Sequence, residues 1–165
     1  SQKNGAGAGG AGITPIMLSS WMHFMNAEVA GVGTAATTTE VLAGIADSMS
    51  KVSGFAGSPA MSSTSVDAYT AAFTTAWTSA SSAEKGNMWA KQFFISLFGN
   101  GTDGYNSYRR NGLPTDVQPN IEPNPGAFPV SMWYPNNYTA RNSNASQKSD
   151  LTGKVFWNTQ SPNLK

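Results

Sequence analysis

The fold class is decided by the stretch FFISLFGNGTDGYNSYRRNGLP, residues 93–114. It predicts the end of one helix at Phe98, with Gly99 as the stop, because glycine readily adopts the backbone conformation that ends helices. A short second helix is predicted from Thr102 to Arg110, closed by Asn111-Gly112. Helices in such close succession favour an all-α domain.

An almost wholly apolar helix is predicted nearer the start of the chain. Thr14-Pro15 is a helix start signal, with threonine as the N-cap and proline at the first helical position, and the helix runs to about Val32. Apolar residues cover most of its circumference and leave only a narrow polar stripe of Ser19, His23 and Asn26. Such a helix must be covered by neighbours on several sides.

Capping signals place the remaining helices. Thr37 and Glu40 form a capping box for a second helix, whose apolar residues lie on one clean face. A third amphipathic helix is predicted at about residues 65–80. Ser81 and Glu84 cap the fourth helix, which is the one that ends before the glycine-rich turn.

Composition limits the class of protein. The chain has 165 residues, of which 39% are apolar and 12% charged, and this is the size of one domain with the neutral surface typical of extracytoplasmic proteins. A net charge of +1, with no cationic cluster beyond Arg109-Arg110, excludes a nucleic-acid partner. Without cysteine, the sequence has no disulfide framework, thiolate metal site or thiol nucleophile.

Three segments are predicted along the chain. Residues 1–12 are a Gly/Ala-rich linker, residues 13–112 are the helical part, and residues 113–165 are a Pro/Asn-rich tail that packs across the helices. The fourth helix is also apolar on several sides, with Lys85, Gln92 and Ser96 as its only consistent polar stripe. Because the first and fourth helices both need covering, we expect this chain to be a piece of a longer one. Its longest apolar run is too short to cross a bilayer, so any membrane anchor is expected outside this segment.

Nothing in the sequence has the pattern of a catalytic site. His23 is the only histidine, and we interpret it as a hydrogen-bonded structural residue. No Gly-x-Ser-x-Gly motif occurs. The acids are scattered rather than paired as a glycosidase needs, as at Glu28, Asp47, Glu84 and Asp103. We therefore predict no catalytic residue, no metal ligand and no cofactor.

Arg109 and Arg110 lie at the end of the short helix. Cations at this position complement the helix dipole, and one of the two could turn inward to pair with a carboxylate such as Glu28. We favour a structural role for them, because an inward guanidinium commonly ties an irregular tail to a folded body.

The tail combines aromatic residues with asparagines. Trp133, Tyr134 and Tyr138 lie among four asparagines, at positions 136, 137, 142 and 144. Sugar rings stack their apolar faces on aromatic side chains and bind amides through their hydroxyls, so this composition suits a glycan platform. The alternative, which we favour, is that Trp133 and Tyr134 pin the tail to the helices. The sequence does not assign any ligand-binding residue.

Several motifs occur along the chain in a specific order and spacing. They are Ile13-Thr14-Pro15-Ile16-Met17-Leu18-Ser19-Ser20-Trp21, Ala27-Glu28, Leu97-Phe98-Gly99-Asn100-Gly101, Tyr108-Arg109-Arg110-Asn111-Gly112-Leu113-Pro114, and Tyr134-Pro135 before Asn142-Ser143-Asn144. From about Gly10 to Trp157, the chain resembles the C-terminal portion of the SusD/RagB family. It departs from that pattern at Val130, where many relatives have an arginine, and at Gly104, where relatives often have an acid.

The resemblance implies a fold and a function. The family has a tetratricopeptide-like, all-α fold with a long irregular C-terminal tail. Its members are non-enzymatic lipoproteins of Bacteroidetes, lipid-anchored at the extracellular face of the outer membrane. They bind oligosaccharide and act as the lid of a SusC-type TonB-dependent transporter. Two alternatives are a peptide-capturing RagB-type importer component and, less favoured, a surface glycoside hydrolase.

Overall fold

The computed structural model describes residues 15–158, apart from residues 56, 60, 119, 120 and 125. Its helices are α1 (Ser19–Val29), α2 (Ala35–Ser53), α3 (Ser63–Ser79), α4 (Ser82–Ser96), α5 (Gly101–Asn111) and α6 (Asn136–Arg141). No strand occurs among the described residues, so the predicted all-α class is confirmed. The chain divides into two compact units, one up to Thr74 and one from Thr75 onward.

In the first unit, α1 and α2 pack against each other as a helix pair. Trp21 and Phe24 of α1 are buried, as are Val41 and Ile45 of α2. Gly44 lets the two helices approach closely, because a Cβ atom at this position would lie 3.0 Å from the ring of Phe24. On α1, side chains away from this packed face, such as those of Met22 and Val29, are exposed.

The start of α1 differs from the prediction. The helix begins at Ser19, and residues 15–18 are not helical, so Pro15 does not occupy the first helical position. Thr14 lies outside the described residues. The carbonyl of Leu18 accepts the first helical hydrogen bonds, from the amides of Trp21 and Met22 at 3.1 and 3.2 Å. Proline permits a helix start without requiring one, and here the helix begins where side chains become buried.

The predicted capping box of α2 is wrong. Thr34 is the N-cap residue, and Thr37 lies inside the helix, where its hydroxyl donates to the carbonyl of Thr34 at 2.7 Å. The carboxylate of Glu40 instead accepts a hydrogen bond from His23 on α1, at 2.7 Å. A contact between the helices has therefore replaced the local one that the sequence pattern suggested.

In the second unit, the cap of α4 is as predicted. The Ser81 hydroxyl accepts a hydrogen bond from the Glu84 amide at 3.3 Å, and the Glu84 carboxylate accepts one from the Ser81 amide at 2.7 Å. Both bonds satisfy amides that a helix N-terminus otherwise leaves unpaired. The helix ends at Ser96, two residues before the predicted Phe98, and Gly99 follows with φ +89°.

Helix α5 is one residue longer at each end than predicted. Asn100 is its N-cap and accepts a hydrogen bond from the Asp103 amide at 3.2 Å. Gly112 ends the helix in the left-handed region, at φ +69°, as the Asn-Gly pair predicted.

The tail packs on α4 and α5, as expected. The Thr115 amide donates to the Asn87 side chain at 2.7 Å, and Lys91 forms an ion pair with Asp116. Further along, the Tyr105 hydroxyl donates to the carbonyl of Pro129 at 2.7 Å. These contacts fasten the first part of the tail to two helices.

The prediction that the tail lacks regular structure is wrong at α6. Pro135 is the N-cap residue of this short helix, and its carbonyl accepts a hydrogen bond from the Tyr138 amide at 2.9 Å. The asparagines that open α6 are poor helix formers. A helix of six residues is also too short to show a periodic pattern of apolar residues in the sequence.

Candidate functional site

Paired hydrogen bonds fold the distal tail back on itself. The amides of Val130 and Ser131 both donate to the carbonyl of Leu151, at 2.9 and 3.1 Å. Further along, the side chain of Gln147 bonds to both backbone groups of Tyr134: it accepts from the amide at 3.0 Å and donates to the carbonyl at 2.9 Å. The segment that carries α6 is therefore held at both ends by its own chain.

This fold-back forms an open cleft of about 550 Å³, which we call the tail cleft. Its lining residues are Tyr134, Pro135, Tyr138, Asn144, Ala145 and Ser146. The rings of the two tyrosines meet edge to face, with their centroids 5.8 Å apart. The volume lies within the range of about 300–1,000 Å³ that is usual for small-ligand sites.

The aromatic residues of this region are half-exposed. The exposed fractions are 51% for Trp133, 43% for Tyr134 and 49% for Tyr138. The ring of Tyr134 contacts Tyr138 and the ammonium group of Lys148, which lies 4.9 Å from the ring centroid. These contacts are within the tail, and they differ from the favoured prediction that Trp133 and Tyr134 pin the tail to the helices.

Other residues pin the tail, and Arg109 is central among them. Its guanidinium lies between the rings of Tyr105 and Trp157, 4.7 and 4.4 Å from their centroids. It donates to the carbonyl of Val130 at 2.8 Å and to the Asn106 side chain at 3.0 Å. These contacts support the predicted structural role of Arg109.

Phe128 is a second pinning residue. Its ring packs edge to face against Tyr108, at 5.2 Å between centroids, and lies 6.0 Å from Tyr105. Tyr108 is buried, and this burial raises the pKa of its phenol. Five aromatic residues of the tail thus form two groups. Phe128 and Trp157 contact α5, whereas Trp133, Tyr134 and Tyr138 are half-exposed at the tail cleft.

A family comparison matches most of the chain. The SusD-like family model described as "starch-binding associating with outer membrane" matches residues 6–135. The chain belongs to this SusD-like family. The resemblance to SusD/RagB proteins noted in the sequence is therefore confirmed, and the helical architecture agrees with it. At this coarse level, the function is glycan binding at the outer membrane. No significant match is found among curated proteins or among solved structures.

The family match ends where the tail cleft begins. Of the lining residues, only Tyr134 and Pro135 lie within the matched range, while α6 and the residues from Asn144 to Ser146 follow it. The cleft of this SusD-like protein is therefore built mainly from the part of the chain that the family description does not cover. Sequence reasoning noted the aromatic and Asn residues here but missed Gln147 and Leu151, whose long-range bonds shape the cleft.

His23, the one histidine of this SusD-like protein, joins the helices of the first unit. Its Nδ1 atom lies 2.7 Å from a carboxylate oxygen of Glu40, and its Nε2 atom lies 3.7 Å from one of Asp47. The three side chains are 32–40% exposed. Bridging α1 to α2 in this way is the hydrogen-bonded role predicted for His23. In the described part of the chain, no group of three or more His, Asp or Glu residues is placed to hold a metal ion.

Two of the scattered acids, Glu84 and Asp103, lie in the first turn of a helix and bond to its N-cap residue. Hydrogen bonds from Ser81 hold the pKa of Glu84 below its usual value. Asp103 accepts a hydrogen bond from the Asn100 side chain at 2.7 Å, at the start of α5. The pairing of Glu28 with an arginine stays a prediction. Each helix in the described ranges is too short or too polar to span a membrane.

Proposed function

We propose that this SusD-like protein is a non-catalytic receptor that binds oligosaccharide in the tail cleft. The observation that carries the proposal is the exposure of Trp133 and Tyr138 beside a cleft whose wall includes Asn144 and Ser146. An exposed aromatic ring offers an apolar face to the C–H groups of a sugar, while amide and hydroxyl groups bind its hydroxyls.

The hydrogen bonds and ring contact within the cleft support the same proposal. Gln147 fixes both backbone groups of Tyr134, and the ring of Tyr134 lies against that of Tyr138. Because the site is formed before ligand binds, little conformational entropy is lost on binding. An open cleft of about 550 Å³ also suits part of a chain of sugars that continues beyond the site.

We further propose how the protein operates at the membrane. Its SusD/RagB relationship supports the role of lid on a SusC-type TonB-dependent transporter, at the extracellular face of the outer membrane. Attachment would be through a lipid anchor outside this segment. The linker, helical part and tail predicted from the sequence would form the last part of a longer SusD-like domain, in which further helices cover the exposed apolar residues of α1.

Tyr138→Ala tests the cleft. Removing the ring is expected to weaken binding about two- to tenfold, because an aromatic contact contributes roughly 0.5–1.5 kcal/mol. Tyr138→Phe keeps the ring and retains most of the affinity. Phe98→Ala is the matched control, since Phe98 is 96% exposed and is not among the residues that line the cleft. Isothermal titration with maltohexaose and hexagalacturonate measures all three variants.

The outcomes separate the functional classes. Equal affinity in the wild type and in Tyr138→Ala would remove the tail cleft from glycan binding. Binding of a peptide mixture without binding of either oligosaccharide would favour a RagB-type peptide receptor. Shortening of the oligosaccharide during incubation, detected by mass spectrometry, would contradict the non-catalytic role.

A further inference from the structure

We infer that the tail cleft takes an acidic oligosaccharide, with carboxylate or sulfate groups on its rings, rather than a neutral one such as starch. The inference rests on the proposed function, because it assumes that the cleft binds glycan. It concerns the chemical class of that glycan, which the family description does not settle for this chain.

The segment of the tail that carries the cleft, between Glu122 and Asp150, is one-sided in charge. Between Pro123 and Ser149 the sequence contains two charged side chains, Arg141 and Lys148, and both are cations. The chain as a whole is nearly neutral, at +1, so this cationic stretch is a local feature. A surface of a single charge sign attracts ligands of the opposite sign.

Both cations lie beside tyrosines that line the cleft. The Lys148 ammonium group is 4.9 Å from the ring centroid of Tyr134. Arg141 is three residues after Tyr138 on α6, and residues at this spacing lie on the same side of a helix. A sugar stacked on Tyr138 would therefore lie near Arg141 of α6 and near Lys148, whose ammonium group is against the neighbouring ring of Tyr134.

Neither cation is neutralised within the described part of the chain. The ion pairs found there involve His23 and Lys91, and not Arg141 or Lys148. The nearest acid in sequence, Asp150, is bound instead by Thr152, whose amide and hydroxyl donate to it at 2.8 and 2.6 Å. Two unpaired cations beside an aromatic cleft suit an anionic ligand better than a neutral one.

The family match does not extend to these residues. The match ends at residue 135, so both cations lie outside the part of the chain to which the starch-binding description applies. The residues that would distinguish an acidic glycan from starch are thus in the segment that the description does not cover.

The decisive experiment compares ligands that differ in charge alone. Isothermal titration of the full chain with hexagalacturonate and with its methyl ester keeps the sugar backbone and removes the carboxylates. A third ligand, a κ-carrageenan hexasaccharide, carries sulfate groups and so distinguishes a preference for sulfate from one for carboxylate. Maltohexaose is the neutral reference. At least one acidic ligand should bind about tenfold more tightly than the neutral ones at 0.1 M salt. This difference in affinity between the acidic and the neutral ligands should become smaller at 1 M salt, where the screening length falls from about 10 Å to about 3 Å.

Substitutions test whether Lys148 and Arg141 cause the preference for an acidic ligand. Lys148→Met and Arg141→Gln should each weaken binding of the acidic ligand about fivefold, which is the upper range for an exposed ion pair. Binding of maltohexaose should fall less than binding of the acidic ligand, because maltohexaose carries no charge, and Lys148→Arg should retain the preference. Lys85→Met is the matched control: Lys85 also lies over an aromatic ring, 6.0 Å from the centroid of Trp77, but Trp77, unlike Tyr134, does not line the cleft.

The outcomes keep the inference and the proposed function apart. Equal affinity for hexagalacturonate, its methyl ester and the sulfated ligand would overturn the acidic preference and leave glycan binding intact. The same conclusion would follow if Lys85→Met lowered the affinity as much as Lys148→Met. If none of the four oligosaccharides binds the wild type, the proposed function fails together with the inference.

Discussion

Arg109→Ala is the substitution for which the structure makes the sharpest stability prediction. The guanidinium lies between two aromatic rings and donates to a backbone carbonyl of the tail, that of Val130. Truncation to alanine removes all of these contacts together. The tail then loses its connection to α5 at this point, although the contacts of Phe128 remain.

The magnitude follows from the contacts. A hydrogen bond from a charged donor contributes about 1.5–3 kcal/mol. Each ring contact of a partly exposed cation contributes about 0.5–1 kcal/mol. Because Arg109 is only partly buried, the lower values apply, and the expected loss is about 3 kcal/mol. For a chain of 165 residues this corresponds to a fall in Tm of roughly 6–12 °C.

Thermal and urea unfolding followed by far-UV circular dichroism measure this loss. Arg110→Ala is the matched control, because Arg110 is exposed and the same truncation there should cost less than Arg109→Ala. Arg109→Lys keeps the charge but loses the planar, forked group, so it should recover less than half of the stability. A fall in Tm no larger than that of Arg110→Ala would refute the assignment of Arg109 as the main tie of the tail.

Two further predictions concern α2 and α4. Gly44→Ala should destabilise the protein by about 1 kcal/mol, because the new methyl group presses on the buried ring of Phe24. Gly86→Ala, which meets only ordinary contacts, should stabilise it by about 0.5–1 kcal/mol. Equal midpoints of urea unfolding for the two variants would contradict this. The bonds from Ser81 lower the pKa of Glu84 in the folded state. Glu84 therefore stabilises the folded protein fully above its unfolded-state pKa, and this contribution is lost as the pH falls through its folded-state pKa. Between pH 7 and about pH 3, Glu84→Gln should therefore lose less stability than the wild type, as measured by urea unfolding at each pH.

Local signals predicted the helices well where the deciding contacts are local. Ser81 and Glu84 satisfy each other within one helical turn, and Gly112 closes α5 by its own backbone conformation, so sequence alone placed both features. The same reasoning failed at Thr37 and Glu40. Their spacing fits a capping box, but the carboxylate bonds to His23, which is 17 residues away. A partner that distant in sequence is not visible in a local pattern.

The candidate site could be predicted in composition but not in shape. Trp133, Tyr134 and Tyr138 stood out among asparagines, and this directed attention to the correct region. The cleft itself depends on Gln147 and Leu151, which bond to residues 13 to 21 positions earlier in the chain. It also depends on α6, which has no apolar periodicity because it is a single short element.

Substitutions in the tail should be able to change the stability of this protein without changing its glycan affinity, and the reverse. The reason is that the aromatic residues that hold the tail to α5 differ from those that are expected to contact the glycan. Phe128 and Trp157 contact residues of α5, whereas Trp133 and Tyr138 are half-exposed. The bonds that hold the cleft in shape come from backbone groups and Gln147, so removing the ring of Tyr138 leaves them in place.

Arg109→Ala should therefore lower Tm while glycan affinity, measured well below the transition, stays within about twofold of the wild type. Tyr138→Ala should do the reverse, with Tm changed by less than about 3 °C, since truncating a half-exposed side chain removes little buried area. The comparison uses both measurements on both variants. If Arg109→Ala lost affinity at a temperature where its circular dichroism is native, the tie of the tail to α5 would be part of the binding site, and the division of the aromatic residues into two groups would be wrong.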